Sequence, residues 1–296
     1  MYPLNEFSVS GSSEKEKAKA SCPIVNFHHM SNSGGVAFSQ TIMKYGLAGY
    51  HAINYNPENL HELFDKAREI KNQLLRERLY LHGHWTNGFE KLLGSVSYKF
   101  TILRSPLDRF LSEFFWERRT EPEVRTPWLL LDEMGRWIDT LGEIGHANFF
   151  CTEIATYQQD KALFHVHLRR ENLVQMSPQE AFSRAHLKLL GEYSFVGITE
   201  LFEESLFFFF REMGWSKLGP WTRGPHAPGR GGAAKKFSAA DLPIRYLKKL
   251  RKLLAGDEEL YEERRQMFEA DLAQRPLKGD FAEYKSRGWC EAFGQA

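Results

Sequence analysis

The chain has 296 residues, enough for one large domain or two small ones, and its 42% hydrophobic and 26% charged content is that of an ordinary globular body. That balance excludes a disordered or collagen-like chain. With 39 Lys and Arg against 38 Asp and Glu the net charge is +1, so no global field draws in nucleic acid or an anionic membrane, and an anionic ligand needs a local site.

No run approaches the roughly 18 apolar residues of a transmembrane helix. Residues 1–22 are polar, carry Ser10-Gly11-Ser12-Ser13 and alternating Glu and Lys, and are expected to form a disordered lead-in with no signal-peptide character. The expected location is therefore cytoplasmic. Residues 23–296 read as a single α/β domain. Cys22, Cys151 and Cys290 are widely spaced and form no CxxC pair, which predicts free thiols in a reducing compartment.

In chain order, Ile24 to Phe27 is an apolar strand, Ser31 to Gly35 a glycine-containing turn, and Val36 to Tyr45 a helix. Leu60 to Arg78 is an amphipathic helix with Leu60, Phe64, Ala67, Ile70 and Leu74 on one stripe. Leu79 to Leu81 is a short strand running into His82-Gly83-His84-Trp85, and Tyr98 to Leu103 is the clearest strand. Pro106 suits the first turn of a helix reaching Arg118. Helices are expected at Trp128–Leu141, Asn148–Gln158, Pro178–Leu190, Glu200–Met213, Leu242–Leu254 and Asp257–Ala273, with strands at Ala162–Leu168 and Phe195–Ile198. Alternating strands and helices predict a three-layer α/β domain with a central parallel sheet flanked by helices. Trp215 to Ser238, rich in Gly, Pro and basic residues, reads as a long functional loop.

Several of these segments could carry chemistry. Amides at a helix start bind phosphate or sulfate; Ser31, Ser33 and Ser39 add hydroxyls there, and Gly34 and Gly35 allow close approach. The loop continues Gly34-Gly35-Val36-Ala37 and lacks the Gly-Lys-Ser/Thr of an ordinary ATPase or GTPase. A plain strand-to-helix turn is the competing reading. Arg104 ends the clearest strand, and Ser112 follows two helical turns later, where ligands bind in open parallel sheets. Together they could hold one phosphate, while an isolated Arg there is equally explained by a surface ion pair. Arg109 falls on another face and is expected to pair with Asp108 or Glu113.

His82 and His84 are an acid–base pair or metal ligands by spacing, but no Cys or carboxylate stands at a companion spacing, so metal is disfavoured. His165 and His167 read as polar positions on an edge strand. Phe207 to Phe210 ring a helix completely and predict its burial. Trp85 and Trp116 could line a pocket or the core. The run Arg245, Lys248, Lys249, Arg251 and Lys252 reads as a solvated helix face, whereas Arg230, Lys235 and Lys236 lie in a flexible loop able to close over an anionic nucleotide.

Taken together, these segments resemble the sulfotransferases that use 3′-phosphoadenosine 5′-phosphosulfate (PAPS), in the branch of the heparan sulfate 2-O- and 6-O-sulfotransferases. The resemblance spans about Ile24 to Phe268. It rests on His29-Met30-Ser31-Asn32-Ser33-Gly34-Gly35, on His82-Gly83-His84, and on Thr101 to Glu113 with its Arg-x-Pro turn and Ser eight residues after Arg104. Phe195 to Glu200 and Asp257 to Tyr261 look like later landmarks. The resemblance implies a P-loop-like fold and transfer of a sulfuryl group to an acceptor hydroxyl. A carbohydrate is the favoured acceptor, with a small-molecule alcohol or phenol as the alternative. It also implies that Ser31, Asn32 and the amides of Ser33, Gly34, Gly35 and Val36 hold the 5′-phosphosulfate. Arg104 and Ser112 would hold the 3′-phosphate, His84 would be the general base with His82 orienting it or sharing the role, and no metal is needed.

Asn32 stands where this family has a lysine, so Lys44 or the loop cations Arg230, Lys235 and Lys236 would supply the charge, or the chain is a non-catalytic binder of nucleotide or sulfated glycan. A P-loop phosphoryl-transfer enzyme is the other alternative. Golgi members of the branch carry a membrane anchor, which implies a Golgi lumenal location if the chain is a truncated form.

Overall fold

The structure is a computed structural model that describes residues 24–45, 50–54, 65, 68–70, 72, 78–84, 86–87, 97–117, 127–143, 149–155, 177–214, 239–274 and 281. Strands β1 (Ile24–His28), β2 (Tyr50–Asn54), β3 (Arg78–Gly83), β4 (Ser97–Leu103) and β5 (Phe195–Ile198) form one sheet in the order β2-β3-β1-β4-β5. Every neighbouring pair is parallel. Parallel neighbours require crossover connections, so the chain must leave the sheet after each strand and return along one face. Among the described residues the helices are α1 (Gly35–Tyr45), α2 (Pro106–Glu117), α3 (Pro127–Glu143), α4 (Phe149–Ala155), α5 (Pro178–Gly191), α6 (Phe202–Glu212), α7 (Ile244–Leu253) and α8 (Ala255–Gln274). The α/β layering expected from the sequence is present: a parallel sheet flanked by helices.

Side chains alternate across a strand, and the two faces of this sheet are unlike. On one face Phe27 and Phe100 stack with ring centroids 4.6 Å apart. Phe38 of α1 and Phe209 of α6 close over them, with Phe100 and Phe209 centroids 4.3 Å apart. All of Phe207 to Phe210 are buried, as the unbroken aromatic run predicts.

The other face is buried too, but among its apolar side chains it carries a polar network. His28 Nδ1 lies 2.7 Å from the Tyr193 hydroxyl, and Thr101 Oγ1 donates to His28 O at 2.8 Å. Lys99, only 1% exposed, donates to Asn87 Oδ1 at 2.8 Å and lies 4.5 Å from the Tyr193 ring centroid. Asn87 in turn donates to Glu153 O of α4 at 3.1 Å. Each bond offsets the desolvation of a buried polar group, which left unpaired would cost about 1–3 kcal/mol.

A second core joins α2, α3 and α7, where Phe110 and Phe114 meet Trp137 with centroids 4.7 and 5.3 Å apart. This cluster anchors α2 on its apolar side. Arg109, 3% exposed, bonds Glu113 Oε2 at 2.5 Å, one of its two expected partners. Asp257 of α8 accepts the amides of Phe150 and Cys151 at 2.9 and 2.8 Å and so caps the start of α4. Burial raises its pKa against the lowering effect of those two bonds and of Arg109. Cys151 is a buried free thiol.

Two sequence expectations are corrected. Strand β2, Tyr50–Asn54, was not anticipated, because Tyr-His-Ala-Ile-Asn has neither a clean alternation nor a β-branched run. The helix expected through Arg78 stops earlier: Asp65, Arg68 to Ile70 and Asn72 are helical, but Arg78 already pairs with Tyr50 as the first residue of β3. The expected strand Ala162–Leu168, with His165 and His167, lies outside the described residues, as do Trp85, the side chain of Trp116 and the loop from Trp215 to Ser238.

Candidate functional site

The carboxyl ends of β3, β1 and β4 are adjacent in the sheet, and the three segments singled out in the sequence leave from them. β1 runs into a turn at Ser31–Gly34 before α1. His29 N donates to Gly83 O at 3.1 Å, carrying the β1–β3 pairing one residue past the strand, and Ser33 N donates to Met30 O at 3.3 Å to close the turn. Of the amides expected to face an anion, that of Ser33 is thus engaged within the loop. The first helical bond is Phe38 N to Gly34 O at 3.2 Å, so the amides opening α1 have no acceptor inside the helix.

Asn32 has φ of 60° and Gly34 of 77°. Both lie in the left-handed region, which glycine enters freely and asparagine tolerates better than most residues. Asn32 therefore has a backbone reason for its identity. Gly35 has a different one. A Cβ on it would stand 2.0 Å from His29 Cδ2, so the absent side chain makes room for the His29 ring.

That ring is the centre of a small stack, 5.6 Å from Phe27 and 4.4 Å from His84 between centroids. Its pKa is held well below the ordinary imidazole value, first by burial and then by the neighbouring His84, His82 and His28. His84 is half-buried. Its Nδ1 lies 2.7 Å from His29 O and 3.4 Å from Ser31 Oγ. A carbonyl can only accept, so in neutral His84 the proton sits on Nδ1 and Nε2 carries the lone pair. His82 has other company: it stacks on Tyr80 with centroids 5.4 Å apart, and burial lowers its pKa. Tyr80 donates to Ser39 Oγ at 3.1 Å, which ties that serine to β3 and not to the loop.

Arg104 Nη1 donates to Asn32 O at 3.0 Å, bringing a guanidinium against the loop. Ser105 caps α2, accepting Arg109 N on its carbonyl at 2.8 Å and Asp108 N on Oγ at 3.4 Å. Ser112 is half-buried on the same side of the helix as Ser105, seven residues on. Glu200 Oε1 accepts Ser105 N at 2.9 Å, and Thr199 Oγ1 donates to Ser33 O at 2.6 Å.

The structure thus brings together Ser31, Asn32, Ser33, Gly34, Gly35, Val36, His84 and Arg104, with Ser112 along α2 and His82 behind His29. Lys44 stands in the last turn of α1, its Nζ 4.6 Å from the Tyr45 ring centroid. This is the opposite end of the helix from the loop, which corrects its place as a substitute cation. Arg230, Lys235 and Lys236 lie outside the described residues. Arg245, Lys248, Lys249, Arg251 and Lys252 are all exposed on α7, the solvated face expected.

Sequence reasoning missed the roles of His29 and of Thr199 with Glu200. The signals were a histidine six residues before a second glycine and a Thr-Glu pair directly after a strand. Among the described residues no group of three or more His, Cys, Asp or Glu side chains is arranged to hold a metal ion, and no helix is long and apolar enough to cross a membrane. No protein-family model matches the chain, and no curated protein matches it.

Proposed function

We propose that this chain is a PAPS-dependent sulfotransferase with a P-loop-like frame, acting on an acceptor hydroxyl, with a carbohydrate favoured. One observation carries the reading. The loop between β1 and α1 is bonded on one side to His84, through His29 O at 2.7 Å, and on the other to Arg104, through Asn32 O at 3.0 Å. A candidate base and a candidate phosphate-binding cation therefore flank one set of helix-opening amides.

In this reading the amides of Gly34 to Val36 and the hydroxyl of Ser31 hold the 5′-phosphosulfate. Arg104, with donors beyond the one given to Asn32, and Ser112 hold the 3′-phosphate. His84 takes the acceptor proton on Nε2 while the acceptor oxygen bonds to sulfur. The bond from sulfur to the phosphate oxygen breaks, releasing adenosine 3′,5′-bisphosphate. The carbonyl of His29 stabilises the imidazolium that forms at His84, and the lowered pKa of His29 keeps a second positive charge from arising beside it.

Asn32, neutral and left-handed, favours a second reading in which the chain binds such a nucleotide without turning it over. Incubation with labelled PAPS and a panel of glycan, alcohol and phenol acceptors tests the first. Label should move to one acceptor class, and His84→Ala should slow it about 10²–10⁴-fold without loss of bisphosphate affinity. Bisphosphate binding with no transfer to any acceptor supports the binder, and preference for ATP with magnesium would overturn both.

A further inference from the structure

Two consecutive residues at the carboxyl end of β5 hold both halves of the candidate site. Thr199 Oγ1 donates to Ser33 O at 2.6 Å, and its Cγ2 stands 3.3 Å from where a Cβ on Gly34 would be. It meets the loop with both its hydroxyl and its methyl. Glu200 Oε1 accepts the amide of Ser105, the residue after Arg104, at 2.9 Å. Its other oxygen accepts the Tyr261 hydroxyl at 2.7 Å. Tyr261 is buried on α8, and Asp257 one turn earlier fixes that helix to the start of α4. Arg104 closes the circuit by donating to Asn32 O at 3.0 Å. The path from loop to Thr199, Glu200, Ser105, Arg104 and back to the loop is a closed ring of side-chain-to-backbone bonds. Its size sets how far the amides opening α1 stand from the Arg104 turn.

That separation matters only to a ligand that uses both places at once. A ligand with one anionic group is indifferent to it. A ligand with two anionic groups on a stiff scaffold gains the effective concentration of the second contact only when the spacing matches, a gain of about 10²–10⁴ in favourable cases. We infer that Thr199 and Glu200 are positioning residues that preset this spacing and so select a doubly anionic ligand over one carrying either group alone. The inference rests on the nucleotide reading under Proposed function and adds what sets its ligand class.

The test is calorimetric titration of the full chain with adenosine 3′,5′-bisphosphate, adenosine 5′-monophosphate and adenosine 3′-monophosphate. T199V keeps the shape of Thr199 and removes its donor. E200A removes the bridge from an exposed position. Each should lower bisphosphate affinity about tenfold, a part of the linkage gain, and change either monophosphate affinity by less than about twofold. T199S, which keeps the hydroxyl, should recover most of the loss, and thermal melting checks that each variant is folded. Equal losses for all three ligands would overturn the inference, since the residues would then serve only the fold or one end of the site. A wild-type preference for the bisphosphate that survives both substitutions would overturn it and leave the nucleotide reading standing. Failure of the wild-type chain to bind any of the three would overturn the nucleotide reading and this inference with it.

Discussion

Gly35→Ala places one methyl group where the structure has no room. The new Cβ would lie 2.0 Å from Cδ2, 2.4 Å from Nε2 and 2.8 Å from Cγ of His29, all below the closest approach of real atoms. The ring is not a free end that can swing aside, because Phe27 and His84 stack on it at 5.6 and 4.4 Å between centroids. Overpacking of this kind costs about 1–3 kcal/mol. Gly35 does not have a left-handed φ, so alanine would otherwise gain about 0.4–1 kcal/mol by restricting the unfolded chain. The net expectation is a loss of about 1–2 kcal/mol, read by urea denaturation. Displacing His29 also moves the carbonyl-bonded His84, so any sulfuryl transfer should fall with it. In His29→Ala the space is free, and the double substitution should cost less than the sum of the singles by about 1 kcal/mol. A Gly35→Ala protein as stable as wild type, or strictly additive losses, would refute the packing argument.

The remaining expectations concern the same turn. Asn32→Lys should lower stability by about 1 kcal/mol while Asn32→Gly stays near neutral, because φ of 60° is left-handed; denaturant melts of both variants decide it. Arg104→Ala should weaken adenosine 3′,5′-bisphosphate binding about ten- to a hundredfold through loss of a charge-assisted contact, and equal affinities by calorimetry would remove Arg104 from the site. The depressed pKa of His29 means that, below about pH 6.5, the unfolded chain binds a proton the folded chain refuses. This contribution is complete above that pH and is lost as pH falls, with a slope of up to about 1.4 kcal/mol per pH unit. Unfolding free energies measured from pH 8 to 5 should show it, and His29→Leu should flatten it.

The residues carried much of this protein openly. Phe207 to Phe210 can be satisfied only by burial on every side, and all four are buried, with Ser205 and Leu206 before them. The strand ending at Leu103, the proline that opens α2 and the glycine turn before α1 are local signals, and local sterics enforce them. The pairing of Arg109 with Glu113 was also legible, since i,i+4 spacing on a helix leaves few choices.

Other features depend on chain segments far apart in sequence. Lys99 reads as an ordinary exposed lysine until Asn87, Glu192 and Tyr193 surround it in the core. β2 has too little pattern to announce itself and exists because β3 offers it an edge to pair with. Gly35 looked like room for a ligand, yet a histidine six residues earlier fills the space. By itself the sequence determined most of the described helices and the strands β1, β3, β4 and β5, because capping, φ restriction and apolar periodicity act over a few residues. Only the tertiary structure decided which carbonyl meets His84, which loop meets Arg104 and which residues just after β5 bind them together, because those bonds are set by strand order in a parallel sheet, where neighbours in space are remote along the chain.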